Sequence, residues 1–205
     1  MNISVITPVN KPDEYIDNVL GTLKDNSVEF IPINNADSAA KALNEGIEKA
    51  KNDICVLCHQ DVRFPQNWLD DIEGLEDNEF GVCGVWGITL DGEFAGHVIE
   101  PRGHWQIGEL PVEAMCVDEL LMIIKKSSGL RFDESLGGWH LYGADICLEA
   151  EKRGLSNFII DACVTHLSPG CMDDEFVKCK MKLMQKWSSH DPPRMFKTTC
   201  TTLNL

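Results

Sequence analysis

The chain has 205 residues, 43% of them hydrophobic, which fits one globular domain with its own core. Its formal net charge of −15 argues against a nucleic-acid partner and against a polybasic membrane patch, because both need a basic face. Nine cysteines, an odd number, lie in apolar runs and are typical of free thiols in a reducing compartment.

The first half of the chain is predicted to alternate strands and helices, beginning with a strand over Ile3–Thr7 that Pro8 ends. The elements that follow are helix Asp13–Asn26, strand Glu29–Ile33, helix Ala39–Lys51 opened by Ser38, an apolar strand from Cys55, helix Asn67–Leu75 and strand Phe80–Thr89. This order predicts an α/β fold with a Rossmann-like, mostly parallel central sheet flanked by helices. Residues 1–89 are expected to form a nucleotide-binding half.

Residues 90–205 are predicted to form an acceptor-binding half with a small antiparallel extension. Asp91-Gly92 is a hairpin turn signal, and residues 96–108 are predicted to be irregular. The later elements are strand Val117–Lys126, loop Arg131–Gly138, helix Tyr142–Arg153, strand Asn157–His166, helix Asp173–Trp187 and a loose tail. No linker or repeat divides the chain, so a single domain over 1–205 is predicted. The last helix packs on its own core or on a second subunit, which leaves monomer or homodimer open.

The start of the chain and its longest apolar runs bear on localisation. Residues 1–8 lack the basic start and the cleavage site of a signal peptide and are themselves predicted as a strand. No apolar run approaches the roughly 18 residues of a transmembrane helix. We therefore expect a cytoplasmic protein without a transmembrane segment.

The segment Cys55-Val56-Leu57-Cys58-His59 matches the C-x-x-C-H pattern of covalent haem attachment and contains a C-x-x-C pair. Both cysteines fall inside a predicted buried strand, whereas a redox pair would lie at a strand-to-helix turn and haem attachment would require export. We interpret them as strand packing, with a zinc site as a less favoured alternative.

His59, Gln60 and Asp61 follow that strand directly, at the edge of an open α/β sheet where ligands bind. Asp61 cannot remain unpaired beside the core, because burying a lone carboxylate is costly. It either caps the following helix or provides an oxygen ligand for Mg²⁺ or Mn²⁺. The residues alone leave both readings open.

Asp145 and His166 are two further candidates. Asp145 lies in the first turn of a predicted helix, where the helix dipole favours an acid, and it is alternatively a general base in the cleft. The nearby Trp139, His140 and Tyr142 suit the binding of a polyol. His166 ends the last predicted strand and is either a satisfied core histidine or a metal ligand.

Taken in order, these segments resemble the family 2-like glycosyltransferases of the GT-A fold, in particular a short bacterial group whose metal motif is His-Gln-Asp. The resemblance rests on four segments spread over nearly the whole chain. They are Ile6-Thr7-Pro8, Ala42-Leu43-Asn44-Glu45-Gly46-Ile47 with Ala50, Val56-Leu57-Cys58-His59-Gln60-Asp61-Val62, and Trp139-His140-Leu141-Tyr142-Gly143-Ala144-Asp145-Ile146-Cys147-Leu148.

The resemblance implies a metal-dependent, inverting transfer of a sugar from a nucleotide-diphosphate-sugar donor to a carbohydrate or other hydroxyl acceptor. It implies that Asp61, with His166 as second ligand, holds Mn²⁺ or Mg²⁺ on the donor diphosphate, and that Asp145 takes the acceptor proton. On the same analogy Trp139, His140 and Tyr142 face the acceptor. The residues implied to line the donor site are Thr7, Pro8, Asn34, Asn35, Asn44, His59 and Gln60.

Two departures from the family pattern keep alternatives open. Asn34-Asn35 stands where the family usually carries an acidic residue, and His59 replaces the first acid of the metal motif. A catalytically degenerate GT-A-like domain that binds a sugar or a protein is therefore the alternative to an enzyme. Nucleotidyl transfer is disfavoured, because Lys11 is the only basic residue near the first loop that could receive a triphosphate.

Overall fold

The structure is a computed structural model that describes residues 1–168, 170, 172–189 and 194–205. The strands are β1 (Ile3–Val9), β2 (Val28–Asn34), β3 (Ile54–Cys58), β4 (Val62–Arg63), β5 (Cys83–Gly84), β6 (Trp86–Thr89), β7 (Phe94–Glu100), β8 (Gly103–Ile107), β9 (Val112–Val117), β10 (Leu121–Lys125), β11 (Asn157–Ile159), β12 (Val164–His166), β13 (Met195–Lys197) and β14 (Thr202–Asn204). The helices are α1 (Pro12–Tyr15), which continues as a π-helical turn over Ile16–Leu20, α2 (Ala39–Lys49), α3 (Trp68–Asp71), α4 (Tyr142–Lys152) and α5 (Asp174–Lys186).

Twelve strands form one mixed sheet in the order β2-β1-β3-β10-β5-β11-β9-β6-β7-β12-β4, with β8 paired to β7. β1 runs parallel to both β2 and β3, and β10 is antiparallel to β3. The predicted α/β class and its parallel first half are thereby confirmed. The antiparallel part, which includes β9, β6, β7 and β8, is larger than the small extension expected from the sequence.

The core lies on both faces of this sheet because successive strand residues point to opposite sides. Ile6 and Leu57 join α2, α4 and α5 in one buried cluster, whereas Val5 and Val56 join α1 and α3 in another. This two-sided burial explains why β1 and β3 are continuous apolar runs. Gly46 in α2 permits a close approach to β1, since a Cβ there would overlap Cγ2 of Ile6.

The cysteines of the C-x-x-C-H segment pack as expected. Cys55 and Cys58 are buried free thiols within β3. Burial raises the pKa of Cys58 to about 12 and that of Cys55 to about 11, so neither thiol ionises near neutral pH.

The segment 96–108, predicted to be irregular, instead forms most of the antiparallel β7–β8 hairpin. β8 is an edge strand whose residues are exposed or half-buried, so the short polar–apolar alternation over 104–107 does not mark a buried face. The strand predicted over Val117–Lys126 is also wrong in its bounds: β9 ends at Val117, and β10 begins only at Leu121.

The tail predicted to be loose forms the β13–β14 hairpin, apart from residues 190–193, which lie outside the described residues. Phe196 and Leu203 are fully buried and belong to the same cluster as α2, α4 and α5. The helix before the tail is confirmed as α5, with Phe176 and Leu183 buried. Among the described residues, no helix combines the length and apolar composition needed to cross a bilayer.

Candidate active site

His59, Asp61 and His166 meet at the carboxyl end of the parallel strands. His59 and Asp61 directly follow β3, and His166 ends β12, where it pairs with Val62 of β4. Nε2 of His166 lies 3.6 Å from Oδ1 of Asp61 and 3.5 Å from Nδ1 of His59. One ligand atom from each residue lies within 4.8 Å of the other two, so the three side chains can hold one metal ion. The structure thus brings together the two residues predicted as ligands, with His59 as a third.

Tyr142, the first residue of α4, orients His59. Its hydroxyl oxygen lies 3.0 Å from Nε2 of His59. When His59 donates its Nε2 proton to Tyr142, its Nδ1 lone pair faces His166 and Asp61. Burial, together with the neighbouring His166, lowers the pKa of His59 and favours the neutral ring that binds metals.

His166 is buried, and its two ring nitrogens have different surroundings. Nδ1 makes no hydrogen bond within the described residues and lies 3.6 Å from Oε1 of Glu100 on β7. Nε2 faces Asp61 and His59 and lies 3.3 Å from Oγ of Ser168. A metal ligand commonly turns its second nitrogen toward a carboxylate, and Glu100 offers that partner.

The donor set of two imidazole nitrogens and one carboxylate oxygen fits a divalent ion. Mg²⁺ prefers an all-oxygen octahedral shell, whereas imidazole ligands suit transition ions. The residues present therefore form a mixed nitrogen–oxygen donor set for a divalent ion at this position.

Gln60 and Thr7, predicted to line the donor site, are engaged within the protein. Oε1 of Gln60 accepts hydrogen bonds from the backbone N–H groups of Asn10 and Lys11, at 3.1 and 3.0 Å. Gln60 thus fixes the loop between β1 and α1. Thr7 is fully buried, with Oγ1 3.3 Å from Sγ of Cys58. Their side chains position the backbone around the site.

Asn44 is also engaged, whereas the other predicted donor-site residues are accessible. The Asn44 amide bonds to both backbone groups of Phe132 and to the carboxylate of Glu134. Pro8 is half-buried, and Asn34 and Asn35 are exposed at the end of β2, where Asn35 has a left-handed φ of 58°. These three residues lie at the same carboxyl end of the strands as His59, because β1, β2 and β3 are parallel.

Asp145 lies one turn after Tyr142 in α4 and faces α5. Its carboxylate accepts hydrogen bonds from Nε1 of Trp187 at 2.9 Å and from Nζ of Lys186, whose shortest approach is 2.7 Å. Burial raises the pKa of Asp145, while these two donors oppose that rise. α4 contacts the His59–Asp61–His166 cluster through Tyr142, and the predicted role of Asp145 as a base stays a prediction.

The three residues predicted to face the acceptor have separate surroundings. Trp139 is exposed, with 41% of its surface accessible. His140 packs edge-on against Phe176, and its Nε2 lies 3.4 Å from Oδ1 of Asp173. Tyr142 bonds to His59 as described. Of the three, Trp139 is therefore the one with a free face for a ligand.

Glu119, which sequence reasoning missed, caps the N-terminus of α4. Leu141, at the N-cap position, has a left-handed φ of 62° and no side-chain hydrogen bond to the helix. Glu119, in the turn between β9 and β10, accepts the Gly143 N–H at 2.8 Å and bonds with the neighbouring N–H groups. Burial nevertheless raises its pKa to about 8. The sequence indicates such a distant capping residue only indirectly, because the predicted helix begins without a Ser, Thr, Asp or Asn at its N-cap.

Comparisons with known proteins agree with this architecture. A profile of the family described as "Glycosyltransferase like family" matches residues 4–189. A relative from Fuscovulum blasticum, named "ATP synthase subunits region ORF 6", is 27% identical over an alignment of 165 residues. The match covers 73% of this chain and 65% of that protein.

Two solved structures share the fold at low sequence identity. The mannosyltransferase PcManGT from Pyrobaculum calidifontis, in complex with GDP-Man and Mn²⁺, has a TM-score of 0.60 at 13% identity, covering 91% of this chain and 63% of that one. S. aureus TarS 1-349 in complex with UDP has a TM-score of 0.60 at 13% identity, covering 93% of this chain and 67% of that one. The likeness confirms the GT-A-like fold, and the chain spans about two thirds of these proteins' length.

Proposed function

Because the chain belongs to the glycosyltransferase-like family, we propose that it transfers a sugar from a nucleotide-diphosphate-sugar donor to a hydroxyl group of an acceptor. The observation that carries the proposal is the convergence of His59, Asp61 and His166 at the carboxyl end of the parallel strands. Ligands of open α/β sheets bind at that edge. Pro8, Asn34 and Asn35 give the same edge an accessible surface for the nucleoside.

We assign the metal site to Asp61, His166 and His59, with Mn²⁺ as the preferred ion. When bound, such an ion offsets the negative charge that develops on the departing nucleoside diphosphate. A cation is needed here because the chain carries a net charge of −15 and would otherwise repel a diphosphate. PcManGT was solved with GDP-Man and Mn²⁺, which supports a donor and an ion of these classes.

The proposed reaction inverts the anomeric centre, with Asp145 as the base. Direct displacement requires one group that takes the acceptor proton on the face opposite the leaving group. Lys186 and Trp187 stabilise the ionised carboxylate, while burial raises its pKa. Asp145 follows Tyr142 by one helical turn in α4, and Tyr142 in turn bonds to His59 of the proposed metal site.

Calorimetric titration of UDP, GDP and CDP, each with and without Mn²⁺, tests the proposal. We expect at least one nucleotide to bind in a Mn²⁺-dependent manner, and Asp61→Asn to weaken this binding at least about tenfold, as loss of a metal ligand does. Asp70→Asn, an exposed acid in α3, is the matched control and should bind like the wild type. The absence of nucleotide binding under both conditions would contradict the proposal.

Donor turnover separates an enzyme from the degenerate binding domain. Release of UDP or GDP from a panel of nucleotide sugars, measured without added acceptor, should occur with the wild type. Asp145→Asn should retain nucleotide affinity and lose transfer, because only the base is removed. Nucleotide binding without any turnover would favour the sugar- or protein-binding alternative.

A further inference from the structure

A second group of potential metal ligands lies on the antiparallel side of the sheet. It consists of His97 on β7, His104 on β8 and Cys163, the residue before β12. Their nearest ligand atoms all lie within 4.8 Å of one another. Nε2 of His97 lies 2.8 Å from Nε2 of His104, and the two ring planes are 5° from parallel with centroids 5.0 Å apart, so the rings meet tip to tip.

Strand register explains why these three residues meet. His97 pairs with Gln106 across the β7–β8 hairpin, so His104, two residues before Gln106, is its diagonal neighbour on the same face. On the other side of β7, Val98 pairs with Val164, which places Cys163 next to His97. β7, β8 and the residue before β12 thus contribute one ligand each on one face of the sheet.

Asp161 prepares His97 for metal binding. Its Oδ1 lies 2.6 Å from Nδ1 of His97. This carboxylate holds the proton on Nδ1, which leaves the Nε2 lone pair directed toward His104 and Cys163. Carboxylate–histidine pairs of this kind support metal ligands in many proteins. Two neutral histidines can hydrogen-bond to each other without a thiol nearby. The thiol of Cys163 beside both nitrogens is therefore the observation that points to a metal ion.

We propose that His97, His104 and Cys163 bind Zn²⁺, with water as the fourth ligand. Imidazole nitrogens and thiolates are the donor types that zinc sites in proteins combine. Nitrogens bound to one tetrahedral zinc at about 2.05 Å lie roughly 3.4 Å apart, so the two Nε2 atoms separate by about 0.6 Å from their 2.8 Å spacing when the ion binds. Both rings also turn toward the ion, because their Nε2 atoms otherwise point at each other. β8 is an exposed edge strand and can accommodate that shift. Binding releases the Cys163 thiol proton to solvent.

This site is chemically distinct from the proposed catalytic metal site. The first site offers imidazole and carboxylate ligands, whereas the second offers imidazole and thiolate ligands. Cys163 lies three residues before His166 on the same segment, and His97 lies three residues before Glu100. Zinc at the second site would therefore tie together the two strands that position His166.

Cobalt absorption tests the proposal, because a thiolate ligand gives a charge-transfer band in the near ultraviolet that imidazole and carboxylate do not. We expect the metal-free full chain to develop this band with one equivalent of Co²⁺ and to lose it when Zn²⁺ is added. Cys163→Ser should abolish the band. The matched controls, Cys200→Ser at an exposed thiol and Asp61→Asn at the first site, should retain it.

His104→Gln provides a second test if Cys163→Ser fails to fold, because His104 is exposed on an edge strand. It should weaken Co²⁺ binding at this site at least about tenfold while leaving the circular dichroism spectrum unchanged. A wild-type protein without the charge-transfer band would overturn the proposal. So would a band that persists in Cys163→Ser, or unchanged affinity in His104→Gln.

Discussion

Replacing Lys186 with Met removes a cation that three carboxylates share. Nζ of Lys186 lies 2.7 Å from Asp145, 3.0 Å from Asp133 and 3.0 Å from Glu149. Side-chain exposure is 21% for Lys186 and only 1% for Asp145, so water cannot replace the lost partner at the most buried acid. The pKa of Lys186 is raised by these carboxylates despite its burial, and the amine stays charged across the neutral range.

The expected loss of stability depends on which charged side chain remains buried after the substitution. Removing one member of a buried ion pair costs about 3–5 kcal/mol, because the other charge stays buried and uncompensated. We expect Lys186→Met to fall in this range, since it leaves Asp145 with Trp187 as its remaining donor and sets three acids against one another. Asp145→Asn should cost less, about 1–2 kcal/mol, because Lys186 keeps two carboxylates and Trp187 keeps an acceptor.

Equilibrium urea unfolding at pH 7 measures these differences. Lys182→Met is the matched control: it lies one turn earlier in α5, and its Nζ bonds to the exposed backbone oxygen of Leu136 at 2.7 Å. That substitution should change the unfolding free energy by less than about 0.5 kcal/mol. If Lys186→Met differed from Lys182→Met by less than about 1 kcal/mol, the proposed dependence of Asp145 on Lys186 would be wrong.

Three further predictions test the packing of the fold and one pH dependence. Phe196→Ala should lower the unfolding free energy by about 3–5 kcal/mol, whereas Met195→Ala, at its exposed neighbour, should leave it almost unchanged. Equal losses of stability for the two variants in urea unfolding would contradict the packing of the tail on the core. Gly46→Ala should cost about 1–3 kcal/mol through overlap with Ile6, and a double-mutant cycle with Ile6→Ala should show the two sites coupled rather than additive. Burial raises the pKa of Glu119 to about 8, so the folded state retains a proton that the unfolded chain loses above its ordinary 4.5. Stability should therefore fall as the pH rises between those values, by up to about 5 kcal/mol in total. Glu119→Gln should remove this slope, and parallel pH profiles for the two proteins would show that Glu119 is ionised in the folded state.

The parallel half of the fold could be predicted because its burial leaves a clear trace in the sequence. β1 and β3 are covered on both faces and are therefore continuous apolar runs. α2 carries its own start signal, since the Ser38 hydroxyl accepts the Lys41 N–H as an N-cap. Local signals of this kind do not depend on contacts with distant segments.

The antiparallel half lacks such traces. β8 is exposed along most of its length, and its polar–apolar alternation covers only four residues, 104–107, which is too short to separate a strand from irregular chain. The β13–β14 hairpin buries Phe196 and Leu203 within strands of only three residues, which is too short to establish a period. Both hairpins form because the rest of the chain offers a strand edge or an apolar surface, and the local sequence does not reveal that surface.

The same division applies to the site. The convergence of Asp61 and His166 could be predicted because polar residues at strand ends share the ligand-binding end of an α/β sheet. The contacts of Lys186 with Asp145 and of Glu119 with Gly143 join residues 41 and 24 positions apart, and no spacing rule indicates them. Such partners follow from tertiary packing alone.

His59 shows why a departure from a family pattern has to be judged in the folded protein. Replacing an acidic residue of the metal motif with histidine lowers the negative charge of the site by one. In a chain with a net charge of −15, that change reduces the repulsion between the site and a diphosphate. The ring keeps its ligand capacity, because Tyr142 holds Nε2 and burial favours the neutral form. On the proposed function, His59 therefore keeps a ligand atom available to a metal ion while it lowers the negative charge of the site.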